Sequence, residues 1–155
     1  MGGPQLFLFR ARRRTCALPI ACVVETMRPL PVEPLAGTPR PVLGLSVIRG
    51  GPLAVVDFGA LIGDHEDLEG HEDPVSNRFL VVRTGTRKVA LAVDAVIGIR
   101  TMPPETLAAL PPLLRSARAE IEGVAALDDQ IVLLVDSARI VSEAAWAAIE
   151  RGAAR

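Results

Sequence analysis

The chain has 155 residues, half of them hydrophobic, and a formal net charge of −1. That length fits one domain, or one domain of two lobes, with ample material for a core. The near-neutral balance leaves no electrostatic footprint for nucleic acid, and four Phe, one Trp and no Tyr supply no stacking platform for single strands.

Cys16 and Cys22 form neither a disulfide scaffold nor a Cys-x-x-Cys site, and read as small buried hydrophobes in a reducing compartment. No apolar run approaches the roughly 18 residues of a spanning helix. Arg10, Arg12, Arg13 and Arg14 precede Cys16–Val24 and faintly imitate a signal sequence. Pro19 interrupts the apolar part and Leu6–Phe9 is strand-like, so the expectation is a soluble cytoplasmic protein.

In chain order, Gln5–Arg10 reads as a strand, Arg12–Arg14 as a turn and Thr15–Leu18 as a second strand. Pro19 opens a short turn or helical step. Ala21–Met27 is a strand on which Glu25 shares a face with Val23 and Met27, which places it at an edge or groove. Residues 28–41 carry Pro29, Pro31, Pro34, Pro39 and Pro41. At that density neither helix nor central strand survives, so this is an extended loop, pinned by Leu30, Val32 and Leu35.

Residues 42–58 are two apolar runs around Gly50-Gly51, which reads as a tight hairpin turn with Arg49 at its rim. A lone Arg among Val, Leu and Ile must find a partner or reach water. Phe58–Ile62 reads as a helical turn stopped at Gly63. Asp64–Ser76 is strongly polar and reads as a surface loop dividing the chain.

The second half restates the first. Arg78–Arg83 and Lys88–Val93 are strands around a turn at Thr84–Thr86. Ala95–Met102 is extended with a bulge or bend at Gly98. Pro103–Pro112 is a second proline-bearing loop with one helical turn at Glu105–Leu110. Ala119–Leu127 and Gln130–Val135 are strands around Asp128-Asp129, and Ser137–Arg151 has helical spacing with Trp146 as its largest anchor. Strand, tight turn, strand and Val-Asp occurs three times, ending at Asp57, Asp94 and Asp136. Such a carboxylate is placed to cap the next turn or helix, and regular short strands argue for small barrels.

Ala17-Leu-Pro-Ile20, Val23-x-Glu25, the proline loop, Gly44-x-x-x-Ile-Arg-Gly50, Val55-Val-Asp57, Val89 through Gly98, Ile121-x-Gly-Val124 and Val132-Leu-Leu-Val-Asp136 occur in that order. The ordered set resembles the CheW family of bacterial chemotaxis coupling proteins. The resemblance implies a mainly β fold: two SH3-like five-stranded β-barrel lobes packed together, with a C-terminal helix. It covers a single domain over residues 5–145, the first lobe mainly 5–65, the second mainly 76–136, and the helix 137–151.

The resemblance also implies a non-enzymatic adaptor without a cofactor. Such proteins bind the tips of methyl-accepting chemotaxis receptors and the regulatory domain of the CheA-type histidine kinase, and are recruited to receptor arrays at the inner membrane. Carried over residue by residue, it puts Val23, Glu25, Thr26, Gly44, Arg49, Val93, Val96 and Gly98 at the receptor groove, a setting suited to helix-in-groove recognition. The motifs place no residue on the kinase surface.

Two departures stand out. Val47 replaces the usual Asn beside Arg49, and Thr26 replaces an Ile or Val, trimming apolar contact by up to about 1 kcal/mol. They leave room for a paralogue in a non-motility chemosensory pathway.

Three other readings compete. His65, Glu66, Asp67, His71, Glu72 and Asp73 could ligate a divalent ion, but no strand fixes them and a solvated loop is the simpler reading. A hydrolase lacks any nucleophile elbow or Ser–His pairing. Arg12–Arg14 could be a phosphate or nucleic-acid patch, against the commoner charged turn between strands.

Overall fold

Two-residue turns set the registers. The computed structural model describes residues 3–63, 77–103, 106–109 and 120–154. β1 (Gln5–Ala11) and β2 (Arg14–Pro19) pair from Ala11↔Arg14 across Arg12-Arg13. β4 (Val42–Ile48) and β5 (Gly51–Asp57) pair from Ile48↔Gly51 across Arg49-Gly50. β10 (Ile121–Leu127) and β11 (Gln130–Val135) pair from Leu127↔Gln130 across Asp128-Asp129. All six turn residues have positive φ, the backbone hand that matches strand twist. β6 (Arg78–Thr84) and β7 (Arg87–Val93) close similarly across Gly85-Thr86.

The hairpin turn therefore lies one residue earlier than the expected Gly50-Gly51. A one-residue slip would turn the buried residues of β5 to the wrong face of β4, so burial selects the observed register. Arg49 is consequently a turn residue itself, at φ +53.

The remaining elements are β3 (Val23–Met27), β8 (Ala95–Thr101) and β9 (Leu107–Ala109), with helices α1 (Phe58–Ile62) and α2 (Glu143–Ala153). Short 3-10 turns occupy Ile20–Cys22 and Ser137–Arg139. One sheet has the order β8-β1-β2-β11-β10-β9 and the other β3-β6-β7-β5-β4.

The expected mainly β fold of two packed sheets with a C-terminal helix is present, and β9 adds a sixth strand to one sheet. Other details differ from expectation. The strands do not divide at the acidic stretch into 5–65 and 76–136. β1 and β2 leave the first half to join β8–β11, and β6 and β7 join β3–β5, because β8 pairs with β1 and β11 pairs in parallel with β2. Leu107–Ala109 is a strand on β10, not part of a helical turn over 105–110. The expected helix over 137–151 is broken: Ile140 and Val141 turn into the core, and α2 starts only where Ser142 caps the Ala145 N–H at 3.1 Å. Leu30 is exposed, while Val32 and Leu35 do pin the proline loop.

The core explains why β1, β6 and β7 are apolar on both faces. Phe7 and Phe9 of β1, Leu80 and Val82 of β6, and Val89 and Leu91 of β7 meet between the sheets, joined by Ala145 and Ile149 of α2. Their neighbours at alternate positions fill two smaller clusters. Leu6 and Leu8 join Ala125 and Val132 behind the six-stranded sheet. Phe79 and Val81 join Ala90 and Ile48 behind the five-stranded one. Across the seam, the Phe9 and Phe58 rings meet edge to face at 5.1 Å. Trp146, half-buried on α2, carries the Arg87 guanidinium over its ring at 4.6 Å, and Arg87 also pairs with Glu150 at 3.4 Å.

The three Val-Asp endings behave in two ways. Asp57 accepts from the Ala60 N–H at the start of α1, and Asp136 from the Ala138 N–H of the second 3-10 turn. Asp94 instead accepts from the Arg12 N–H at 2.7 Å, tying the β1–β2 turn to the end of β7. Cys16 is wholly buried, and burial pushes its thiol pKa up to about 12. Cys22 is only half-buried and lies 3.2 Å from the Ser137 hydroxyl.

Candidate functional site

The expected groove residues separate into a rim and a support. Glu25 sits in the middle of β3, and Arg49 in the β4–β5 turn. These are the two edges of the five-stranded sheet, and the side chains bring them together. The Arg49 Nη2 donates to Glu25 Oε1 at 2.7 Å and Nε donates to Oε2 at 3.2 Å, a two-pronged fork. Arg49 thus answers the problem its sequence posed: it neither buries nor floats, but is held by Glu25.

The fork sets the electrostatics. The donated hydrogen bond from Arg49 holds the Glu25 carboxyl below its ordinary value, and the charges of Arg49 and Lys88 add to the effect. The same bond raises Arg49 above its own ordinary value. Glu25 is 24% exposed at its side chain and Arg49 78%, so the carboxylate anchors a guanidinium that projects to solvent. Val47, the residue that replaces the usual Asn, is 70% exposed beside it. Thr26 is exposed next to Glu25.

β3 is bulged at Val24, between the pairs Val23↔Val82 and Glu25↔Val81. The bulge breaks the alternation expected along this strand. Val23 packs on the central layer, whereas Val24 and Met27 pack on the core behind the five-stranded sheet.

Gly44 and Val93 lie beneath the surface. Gly44 is buried at a bulge in β4, with φ +143. A Cβ there would stand 2.0 Å from the Glu33 carbonyl oxygen. Its glycine lets the proline loop close on β4, where Glu33 and Leu45 exchange backbone hydrogen bonds of 2.8 and 2.9 Å. The Ser46 hydroxyl donates to the Pro31 carbonyl at 2.9 Å and holds the same loop. Val93 is 1% exposed, within the central layer, and Val96 packs half-buried against that layer. Gly98 has φ +139 beside a bulge at Ile97 in β8, as the sequence suggested, and the space where its Cβ would lie is open. Ile97 and Ile99 on either side are exposed.

Sequence reasoning missed the pairs made at long range, Arg12 with Asp57 at 3.6 Å and Arg87 with Glu150 among them. Arg100 of β8 reaches Asp128, in the β10–β11 turn, at 3.8 Å. The only signal was the Asp-Asp turn, since no pattern links it to an Arg 28 positions earlier. The acidic histidine stretch, with His65, Glu66, Asp67, His71, Glu72 and Asp73, lies outside the described residues. Among the described residues no cluster of three or more His, Cys, Asp and Glu could hold a metal ion. Among them also, no helix is long and apolar enough to cross a membrane.

Comparison with known proteins agrees with this arrangement. Residues 5–145 match the CheW-like domain. A protein called chemotaxis protein CheW from Rhizobium meliloti (strain 1021) is 30% identical, over 87% of this chain and 85% of its own length. The protein FrzA of Myxococcus xanthus is 27% identical, over 95% of this chain and 91% of its own. The crystal structure of the scaffolding protein TtCheW from Thermoanaerobacter tengcongensis superposes with a TM-score of 0.78 at 21% identity, covering 94% of this chain and 96% of that one. The two packed β-sheets are thus a known fold, and the chain belongs to the CheW-like domain family.

Proposed function

We propose that this chain is a chemosensory adaptor that binds both the tip of a methyl-accepting receptor and the regulatory domain of a CheA-type histidine kinase, coupling one to the other. The CheW-like family and its structural neighbour are scaffolding proteins rather than enzymes. The adaptor works in the cytoplasm, recruited to receptor arrays at the inner membrane.

One observation carries the receptor side of this reading. Arg49 occupies a left-handed turn position that Gly or Asn would fill at lower cost, yet it is kept there and aimed outward by a fork from Glu25. Arg12, Arg13, Asp128 and Asp129 share this turn conformation, so what singles out Arg49 is the fork that fixes an exposed cation at the rim. The receptor helix then meets Arg49, Glu25 and Thr26 at the rim and Val23, Val96 and Gly98 along the groove, with Gly44 and Val93 shaping the support beneath. Exposed Val47 adds apolar area where an Asn would have offered hydrogen bonds.

The test is a pull-down with a receptor signalling tip and the kinase regulatory domain. Arg49→Glu puts two carboxylates face to face and is expected to abolish receptor capture while the circular dichroism spectrum stays unchanged. Wild-type capture by that variant would remove Arg49 from the interface. Failure of the wild-type chain to capture either partner would overturn the adaptor reading itself.

A further inference from the structure

On the six-stranded sheet, lined by neither Glu25 nor Arg49, lies a groove of about 640 Å³. Arg10, Arg13 and Arg14 line it, together with Asp94, Gln130 and Ile131. These residues are far apart in sequence and meet because β11 runs parallel to β2 from Val132↔Thr15, so both turns fall at the same end of the sheet. We propose that this groove binds a short acidic peptide segment of a partner protein, through the Arg10 and Arg13 guanidiniums and the apolar face of Ile131.

Charge is the first argument. The chain as a whole carries −1, yet three arginines line the groove against one carboxylate; of the two acids in the β10–β11 turn at the same end, Asp128 pairs with Arg100 and Asp129 does not line the groove. The lining carboxylate, Asp94, is already engaged by the Arg12 N–H at 2.7 Å. Arg14 is half-buried and engaged within the chain, which leaves the exposed Arg10 and Arg13 to meet a ligand. Arginine clusters are the usual readers of acidic motifs, because the planar fork matches a carboxylate.

Shape and polarity are the second argument. The lining joins arginines to an apolar side chain, a mixture that suits a multi-group ligand better than one oxyanion. Ile131 is 70% exposed at the groove, which an inorganic anion would not use and an apolar side chain between acidic ones would. β1, β2 and β11 are interior strands of their sheet, so their backbone groups are occupied by the ladder. Recognition must therefore come from side chains rather than by strand addition.

Fluorescence anisotropy tests this, with a labelled glutamate-rich peptide carrying one central leucine and its glutamine-for-glutamate counterpart. The acidic peptide is expected to bind, with affinity falling at least about tenfold between about 50 and 300 mM salt. Arg10→Ala and Arg13→Asn are each expected to weaken it several-fold, asparagine being chosen because it tolerates the φ of +70 at that position. Ile131→Gln is expected to weaken it as well.

Equal binding of the neutral peptide, or wild-type affinity in both arginine variants, overturns the proposal. Competition by inorganic phosphate together with indifference to Ile131→Gln also overturns it, reassigning the groove to a simple oxyanion. Because the Arg49 site is read separately, failure here leaves the adaptor reading standing.

Discussion

The five-stranded and six-stranded sheets repeat one another strand for strand, and their differences are informative. β6 and β7 stand where β1 and β2 stand, β4 and β5 match β10 and β11, and β3 matches β8. Each sheet is joined through one parallel pair, β5 with β7 and β11 with β2. Each also links its edge strand to a hairpin turn by an ion pair, but with opposite polarity. In one sheet the turn offers Arg49 and the strand Glu25; in the other the turn offers Asp128 and the strand Arg100. The extra strand has a local cause. Leu107–Ala109 lies on β10 in three pairs, while its counterpart on β4 is the single bridge at Glu33. Pro31 and Pro34 flank that bridge, and without N–H groups they cannot extend a ladder.

The largest effect expected from breaking this comparison is at the bulge glycines. Gly44 and Gly98 have nearly the same φ, +143 and +139, but a methyl group added at Gly44 would meet a backbone oxygen at 2.0 Å, whereas one added at Gly98 would enter open space. Gly44→Ala is expected to cost about 3 kcal/mol, combining backbone strain with displacement of the loop. Gly98→Ala has the strain alone and is expected to cost about 1 kcal/mol. Urea unfolding of the two variants checks this. Equal losses would show that φ, and not the closure of the proline loop, is what requires the glycine at position 44.

Much of this was legible in the sequence, for physical reasons that differ by residue. Period-two alternation and turn residues placed every hairpin, with one turn misplaced by a residue because two glycines and an arginine compete for it. Asp57 and Asp136 could be read as caps because capping is local; Asp94 could not, because its partner Arg12 lies 82 positions away. The allotment of strands to sheets was hidden for the same reason: β1 and β2 give no local sign that they pair with β8 and β11. At the rim, the sequence showed that Arg49 needed a partner or access to water. It could not show that Gly44 and Val93 lie under the surface, since burial depends on what the proline loop and α2 cover.

A smaller effect on stability, but a sharp one on binding, is expected from exchanging the polarity of one rim. Glu25→Arg combined with Arg49→Asp installs in the five-stranded sheet the arrangement found at Arg100 and Asp128. Aspartate tolerates the left-handed turn better than arginine, and exposed pairs contribute little to folding. The double variant is expected to unfold at the same urea midpoint as the wild type and to lose receptor capture. Retained capture would mean that the receptor reads the fork's shape rather than its direction of charge.

The smallest effect is the pH response of the fork. Glu25 is held below its ordinary value of 4.5, first by the hydrogen bond from Arg49. A carboxyl lowered in the folded state binds fewer protons there than in the unfolded chain. Its contribution is therefore complete above about pH 4.5 and is lost as pH falls through the lower folded value. Glu25→Gln removes the titrating group, so the difference in stability between wild type and variant is expected to be constant near neutral pH and to shrink toward zero in acid. The two partners are exposed, so the change is small, and it is best read as a difference between paired urea midpoints at each pH. A difference that stays flat through pH 3 would mean that the fork adds nothing to folding, leaving contact with a partner as the reason for keeping an arginine in that turn.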